Sequence, residues 1–258
     1  MIPAWRFFYV CVARLDRLSP TFLRVTFTGD DLDVFADNGL DQRIKVVLPL
    51  PGRGFATLPT GPDWYQAWRA LPEPDRNPIR TYTVRAVRPP VREVDVDFAL
   101  HGDLGPASRW AGTARVGDPV ALIGPDARHP GPHGGVEFSP PAPGPLLLAG
   151  DETAVPAICA IIPTVVRATV LLEVPCAADV LPLSHVDGVE VRWLARDGAA
   201  HGSLLVPAVR SLPPFASYAW IAGESSVVRS LRRILLNQHG LSRDAVTFMG
   251  YWRHNHPE

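Results

Sequence analysis

The feature that most constrains the fold is one change of periodicity along the chain. Before residue 124, short runs rich in β-branched and aromatic residues recur at 5–15, 22–28, 43–48, 79–87, 93–100 and 119–123, bounded by Gly, Pro, Asp or Asn. Six strands at these intervals predict a small closed antiparallel barrel. After residue 145, strand-length runs at 145–150, 168–174, 189–195, 217–222 and 246–252 are interleaved with helical patterns at 153–162 and 225–239. Strands alternating with helices predict an α/β domain on a parallel sheet. The intervening 124–145 is rich in proline, glycine and histidine and reads as a linker or lid. The expected fold is therefore β followed by α/β, divided as 1–142 and 143–258. No internal repeat is visible. A proline- and glycine-rich excursion at 49–78, with Trp64, Tyr65 and Trp68, interrupts the barrel pattern as an ordered loop without an assigned role.

Composition excludes several classes. A formal net charge of −1 over 258 residues argues against a broad electrostatic footprint for nucleic acid or anionic membrane. Lys45 is the only lysine, and the arginine excess carries no functional claim. Cys11, Cys159 and Cys176 are scattered, with no zinc spacing, and read as reduced thiols. The N-terminus lacks a basic region before a long apolar block, and the apolar run 154–166 is broken by Pro156 and Pro163. A cytoplasmic protein is expected.

Chemistry concentrates in four stretches. In Arg80-Thr81-Tyr82-Thr83-Val84-Arg85, alternation places Arg80, Tyr82 and Val84 on one face of a strand and Thr81, Thr83 and Arg85 on the other. A flat ring, a hydroxyl and a guanidinium within one strand suit a ligand with a planar aromatic end and an anionic end, such as a flavin dinucleotide. In the strand 93–99, Val94, Val96 and Phe98 alternate with Glu93, Asp95 and Asp97. It leads to His101 and then, at Gly105-Pro106-Ala107-Ser108, to a turn entering a helix with proline in its first turn, a ready phosphate site. Gly150-Asp151-Glu152-Thr153 and Gly223-Glu224 follow strands at one end of the expected sheet, where open α/β sheets bind ligands. Gly250-Tyr251-Trp252-Arg253 ends the chain's last strand with an aromatic pair. His129, His133, His254 and His256 do not form a convincing metal set, and none is expected.

The ordered motifs R-x-Y-T-x-R, H-G-x-x-G-P-A-S-x-W, G-D-E-T-A-x-P-A-I, A-G-E and G-Y-W-R resemble those of the siderophore-interacting proteins, ferric-siderophore reductases of the ferredoxin-reductase-like flavoprotein superfamily. The resemblance implies an FAD-binding barrel, a nicotinamide-binding α/β domain and transfer of electrons from NADH, NADPH or ferredoxin through FAD to siderophore-bound Fe(III). It implies that Arg80 pairs with FAD phosphates, Tyr82 packs on the isoalloxazine and Thr83 bonds near flavin N5. It places the ribityl and diphosphate along 97–101 and 105–108, and lines the nicotinamide side with Asp151, Glu152, Thr153 and Glu224. Trp252 would cover part of the FAD. Lys45, Arg128 and Arg253 match the basic residues that meet an anionic iron chelate. The turn 124–128 departs from the family's G-P-R-G, with Asp126 where arginine usually stands.

That departure supports an alternative on the same scaffold, a flavin reductase or biosynthetic flavoenzyme that does not act on siderophores. Nicotinamide preference is open: Glu173 could take a ribose 2′-hydroxyl, whereas Arg192 or Arg196 could meet a 2′-phosphate.

Overall fold

In the computed structural model, which describes residues 2–100, 105–214 and 216–254, the chain forms two compact units. The first comprises 1–16, 23–38 and 43–135; the second comprises 17–22, 39–42 and 136–258. Two short pieces of N-terminal sequence thus group with the C-terminal half.

The first unit is built on β1 (Trp5–Arg17), β2 (Phe22–Thr28), β3 (Arg43–Val47), β4 (Ile79–Arg88), β5 (Glu93–Ala99) and β6 (Pro119–Pro125), with α1 (Trp64–Ala70) and α2 (Pro106–Thr113). The strands close into a barrel in the order β1-β2-β5-β4-β3-β6. Closure follows from the side-chain alternation: Phe8, Val10 and Val12 on β1, Ile44 and Val46 on β3, and Val120 and Leu122 on β6 all point into one buried core. The opposite face of β1, β3 and β6 carries Phe7, Val47, Ala121 and Ile123, which the 49–78 excursion covers with Phe55, Leu58, Trp64 and Trp68. The excursion is fixed by Asn77, fully buried, whose amide donates to the Leu48 and Gly54 carbonyls at 2.8 and 2.9 Å.

The second unit contains β7 (Leu146–Gly150), α3 (Val155–Ile161), β8 (Ala168–Val174), β9 (Val189–Ala195), α4 (Leu205–Ser211), β10 (Tyr218–Glu224), α5 (Ser225–Asn237) and β11 (Val246–Trp252). The sheet is parallel in the order β11-β10-β7-β8-β9. Burial on both faces explains the near-continuous apolar runs of β7 and β10. The amphipathic α5 packs Val228, Leu231, Ile234 and Leu235 against Ala219, Ile221 and Val246. The sequence reading missed α1 and α4. Two acids tie the short N-terminal pieces into this unit. Asp41 accepts from Trp220 Nε1 at 3.0 Å and from the N–H groups of Glu137 and Phe138, and Asp179 accepts from Ser19 Oγ and from Thr21 N and Oγ1.

Candidate cofactor and substrate site

On β4, Tyr82 lies opposite Ile44 and Thr83 opposite Arg43. Val84 is in the barrel core, and Tyr82 packs against that core with its ring 4.2 Å from Phe98. Burial pushes the Tyr82 hydroxyl well above the usual tyrosine range, against the opposing charge of Arg80. Arg80 donates to the Ile79 carbonyl at 2.9 Å. Thr83 is buried at 5% exposure on the other face, while Thr81 is exposed and receives Lys45 Nζ at 2.7 Å. The simple alternation expected through Arg85 stops earlier, because the pairing of β4 with β5 shifts register between Val84 and Ala86. Arg85 sits in that irregularity, its Nε 3.9 Å from Asp97 Oδ2.

The acids of β5 are not a solvated face. Asp95 and Asp97 are each 5% exposed because arginines cover them. Arg24 grips both oxygens of Asp97 at 2.7 and 2.8 Å, and that bond raises the arginine's pKa. Arg88 does the same for Asp95, which also accepts from Thr26. Within the segment 97–101 expected to hold the ribityl and diphosphate, both oxygens of the Asp97 side chain are engaged by Arg24. Phe98 is fully buried in the core.

Gly105 adopts φ +103°, and a Cβ added there would meet nothing within 4 Å. The N-cap residue of α2 is Gly105, which has no side chain to cap the helix start, and Pro106 follows it; Ala107 is buried in the core, and Ser108 is half-buried. The first N–H groups of a helix have no intrahelical acceptor. His101 lies outside the described residues.

Of the three expected cations, Lys45 is exposed on the outer barrel face, and burial, then Arg43, lowers its pKa. Arg253 is exposed just after β11. Arg128 is paired: its Nε and Nη2 donate to the two oxygens of Asp126 at 2.9 and 2.7 Å, and its backbone N–H adds 3.0 Å. The acid replacing the family's arginine thus occupies the neighbouring cation, lowering the Asp126 pKa and raising that of Arg128.

In the second unit, Asp151 gathers the ends of β7, β10 and β11. It is 3% exposed and accepts from Thr153 N and Oγ1 (2.9 and 2.5 Å), Glu224 N (2.7 Å) and Trp252 Nε1 (2.9 Å). Burial, then the charge of Glu152, pushes its pKa up to about 6 against the pull of those bonds. Gly223, at φ +139°, is required here, since a Cβ would lie 2.5 Å from the Asp151 carboxylate. Glu224 caps α5 by accepting from the N–H groups of Ser226 and Val227 at 2.6 and 2.9 Å. Burial alone would raise its pKa, but Ser226 and Val227 outweigh it and the value falls.

Three expectations in this unit are corrected. Glu152 is fully buried and paired through both oxygens with Arg196 at 2.8 and 3.0 Å, so its carboxylate does not line a nicotinamide site. Glu173 is equally buried and accepts from the N–H groups of Gly202, Leu204 and Leu205, fixing the start of α4 rather than meeting a ribose. Arg196, held between the two acids, is not placed for a 2′-phosphate. Sequence reasoning also missed His201, whose ring meets Trp252 edge-on at 4.7 Å. No local pattern marks it, since it lies in the turn before the unforeseen α4.

The residues fit a flavin dinucleotide on two observations within the first unit: α2 begins at a positive-φ glycine with open space where a Cβ would stand, which suits close approach of a phosphate, and β4 carries a hydroxyl on one face and a guanidinium with an aromatic ring on the other. Comparison with known proteins agrees. A model described as the siderophore-interacting FAD-binding domain matches residues 11–129, and one described as siderophore-interacting protein matches 144–255. The chain belongs to the siderophore-interacting protein family. Among family relatives it is similar to ferric vibriobactin reductase ViuB of Vibrio cholerae, 34% identical over 92% of this chain and 85% of that one. It is similar also to the NADPH-dependent ferric-chelate reductase of Escherichia coli, 32% identical over 96% and 93%. A crystal structure of a siderophore utilization protein from T. fusca superposes with a TM-score of 0.83 at 30% identity, over 99% of this chain and 96% of that one.

Proposed function

We propose that this siderophore-interacting protein is an FAD-dependent ferric-siderophore reductase that takes electrons from NAD(P)H, or from a ferredoxin, and passes them through FAD to siderophore-bound Fe(III), releasing Fe(II). What carries the reading is that the likeness to named ferric-chelate reductases runs over 92–96% of the chain, both units included. In this reading residues 1–142 hold FAD and 143–258 hold the nicotinamide. Bound flavin supplies the conversion of a two-electron donor into single-electron steps. Around it, Arg80 and the N–H groups of Gly105, Ala107 and Ser108 bind the phosphates, Tyr82 supports the ring system, and the Thr83 hydroxyl orients its reactive edge. Thr153, the Asp151–Glu224 turn and Trp252 shape the nicotinamide pocket. Lys45 and Arg253 draw in an anionic chelate without competing for its metal. Fe(III) is a harder ion than Fe(II) and is held more tightly by siderophore oxygens, so reduction loosens the chelate. No helix among the described residues is long and apolar enough to cross a membrane. Dependence on NAD(P)H or ferredoxin as donor supports a cytoplasmic location for the proposed activity.

A visible spectrum of the purified protein followed by anaerobic titration with NADPH, NADH and reduced ferredoxin tests this reading. Flavin absorbance should bleach and recover on adding a ferric siderophore, with Fe(II) trapped by a ferrous chelator. Flavin that no donor bleaches would refute it. The Asp126–Arg128 pair favours one alternative, a flavin reductase without preference for chelates. Equal turnover of free flavin and ferric siderophore would favour that alternative.

A further inference from the structure

A dinucleotide on a parallel sheet is bound at the C-terminal ends of the strands, where a carboxylate near the end of the second strand takes the adenosine ribose hydroxyls or an arginine accepts a 2′-phosphate. In this chain that place is the end of β8, between β7 and β9. Glu152 follows β7 by two residues, Glu173 lies opposite Leu194 near the end of β8, and Arg196 is the first residue after β9. The three side chains form one buried ion cluster. Arg196 donates to both oxygens of Glu152 at 2.8 and 3.0 Å, and its Nη1 reaches Glu173 Oε2 at 3.4 Å. Glu173 is committed further by the N–H groups of Gly202 at 2.7 Å and of Leu204 and Leu205 at 3.0 Å. Both acids are fully buried, and Arg196 is 8% exposed. Pulling Arg196 out toward a phosphate would strand two buried carboxylates, which costs more than one charge-assisted bond returns. Between residues 173 and 204 the sequence holds one further arginine, Arg192, and no lysine. Arg192 stands four residues before Arg196, roughly 13 Å back along β9, with its Nε 3.4 Å from Glu190. Asp197, exposed beside Arg196, adds a negative charge at the strand end.

We propose that the Glu152–Arg196–Glu173 cluster sets the donor preference of the α/β unit toward NADH, by withholding from a 2′-phosphate the one guanidinium at the ends of β7, β8 and β9 that is able to bind it. The two donors differ only in that phosphate. NADH presents a neutral hydroxyl at this place and needs no counter-charge; NADPH brings a dianion to a cluster of two carboxylates and one guanidinium, whose own charge is already negative. The inference rests on the reductase reading and names the nicotinamide donor for it.

The first test uses the FAD-loaded wild-type protein. ADP-ribose and its 2′-phosphate, which cannot reduce a flavin, report binding by calorimetry, and stopped-flow bleaching of the flavin by NADH and NADPH reports use of each donor. ADP-ribose should bind about 10-fold more tightly than its 2′-phosphate, and the gap should narrow as ionic strength rises, because salt screens the repulsion. Glu152→Gln removes one negative charge and loosens the hold on Arg196, and should bring the two affinities within about 3-fold of each other. Equal affinities in the wild type, or a tighter 2′-phosphate whose binding weakens with salt, would overturn the inference, while flavin bleaching by either donor followed by ferric reduction would leave the reductase reading standing. Arg17 is exposed in this unit, two residues before the Ser19 that Asp179 holds in the turn after β8, and Arg17→Gln completes the test. Loss of a 2′-phosphate advantage in that variant would identify Arg17 as the determinant in place of the cluster. If neither ligand binds and neither donor bleaches the flavin, the inference falls, and the reductase reading then stands or falls with bleaching by reduced ferredoxin.

Discussion

Asp151→Asn separates the charge of this residue from its hydrogen bonds. The native carboxyl has its pKa pushed up to about 6, chiefly by burial, from a reference of 3.8. About two pH units at 1.36 kcal/mol each gives about 3 kcal/mol of penalty on the charged form. The sign follows from proton counting: between about pH 6 and pH 4 the native state holds the proton and the unfolded chain does not, so acidification through that window stabilises the native state. Above pH 6 the native state carries the whole penalty. The asparagine variant never carries it, but offers one acceptor oxygen to four donors that used two. That loss costs about 1–3 kcal/mol and does not vary with pH. The stability of the variant minus that of the wild type should therefore climb by about 3 kcal/mol from pH 4 to pH 7, starting at about −1 to −3 kcal/mol and ending between about 0 and +2 kcal/mol. Chemical denaturation followed by circular dichroism across this range measures the difference, and other titrating groups, shared by both proteins, cancel. A flat difference, or one that falls with pH, would refute the assignment of a buried, desolvated carboxylate.

Two further predictions test close approach and charge. Gly223→Ala should cost about 2–4 kcal/mol, because the new Cβ meets the Asp151 carboxylate at 2.5 Å and the backbone holds φ at +139°; a variant as stable as wild type by the same denaturation assay would contradict it. Asp126→Asn should release Arg128 from its bidentate partner and lower the KM for an anionic ferric chelate about 2- to 5-fold, more at low ionic strength, as a freed surface cation would. An unchanged, salt-independent KM in ferric reduction kinetics would show that Arg128 does not face the chelate.

Much of the architecture was legible because it is encoded locally. β2, β8, β9 and β11 begin and end where their β-branched runs do, and α5 starts at the serine pair behind Glu224. The two missed helices are not encoded that way. α1 has no buried residue to set a helical stripe, and α4 is started by Glu173, which lies some thirty positions upstream and bonds the N–H groups of Gly202, Leu204 and Leu205. The site shows the same division. The motif letters marked where chemistry gathers, at β4, at Gly105 and at Asp151. Which carboxylates stay available was not legible, since Arg24 and Arg196, the partners that engage Asp97 and Glu152, come from 73 and 44 positions away.

Six acids near the expected sites differ in what faces them, and the difference bears on which residues can respond to a ligand. Asp95, Asp97, Asp126 and Glu152 each meet a guanidinium through both oxygens. A bidentate ion pair of this kind is costly to open once buried, so these positions hold strands and turns in place. Asp151 and Glu224 meet only N–H and O–H donors, among them a cap on α5 and the indole of Trp252. No cation is in direct contact with Asp151 among the described residues, and burial, then the charge of Glu152, raises its pKa although four donors point at it. A cationic nicotinamide ring beside this turn would relieve the charge, and its neutral reduced form would not. The α/β unit should thus hold oxidised nicotinamide more tightly as the pH rises through about 6, and the Asp151→Asn variant should lose that dependence while keeping its fold.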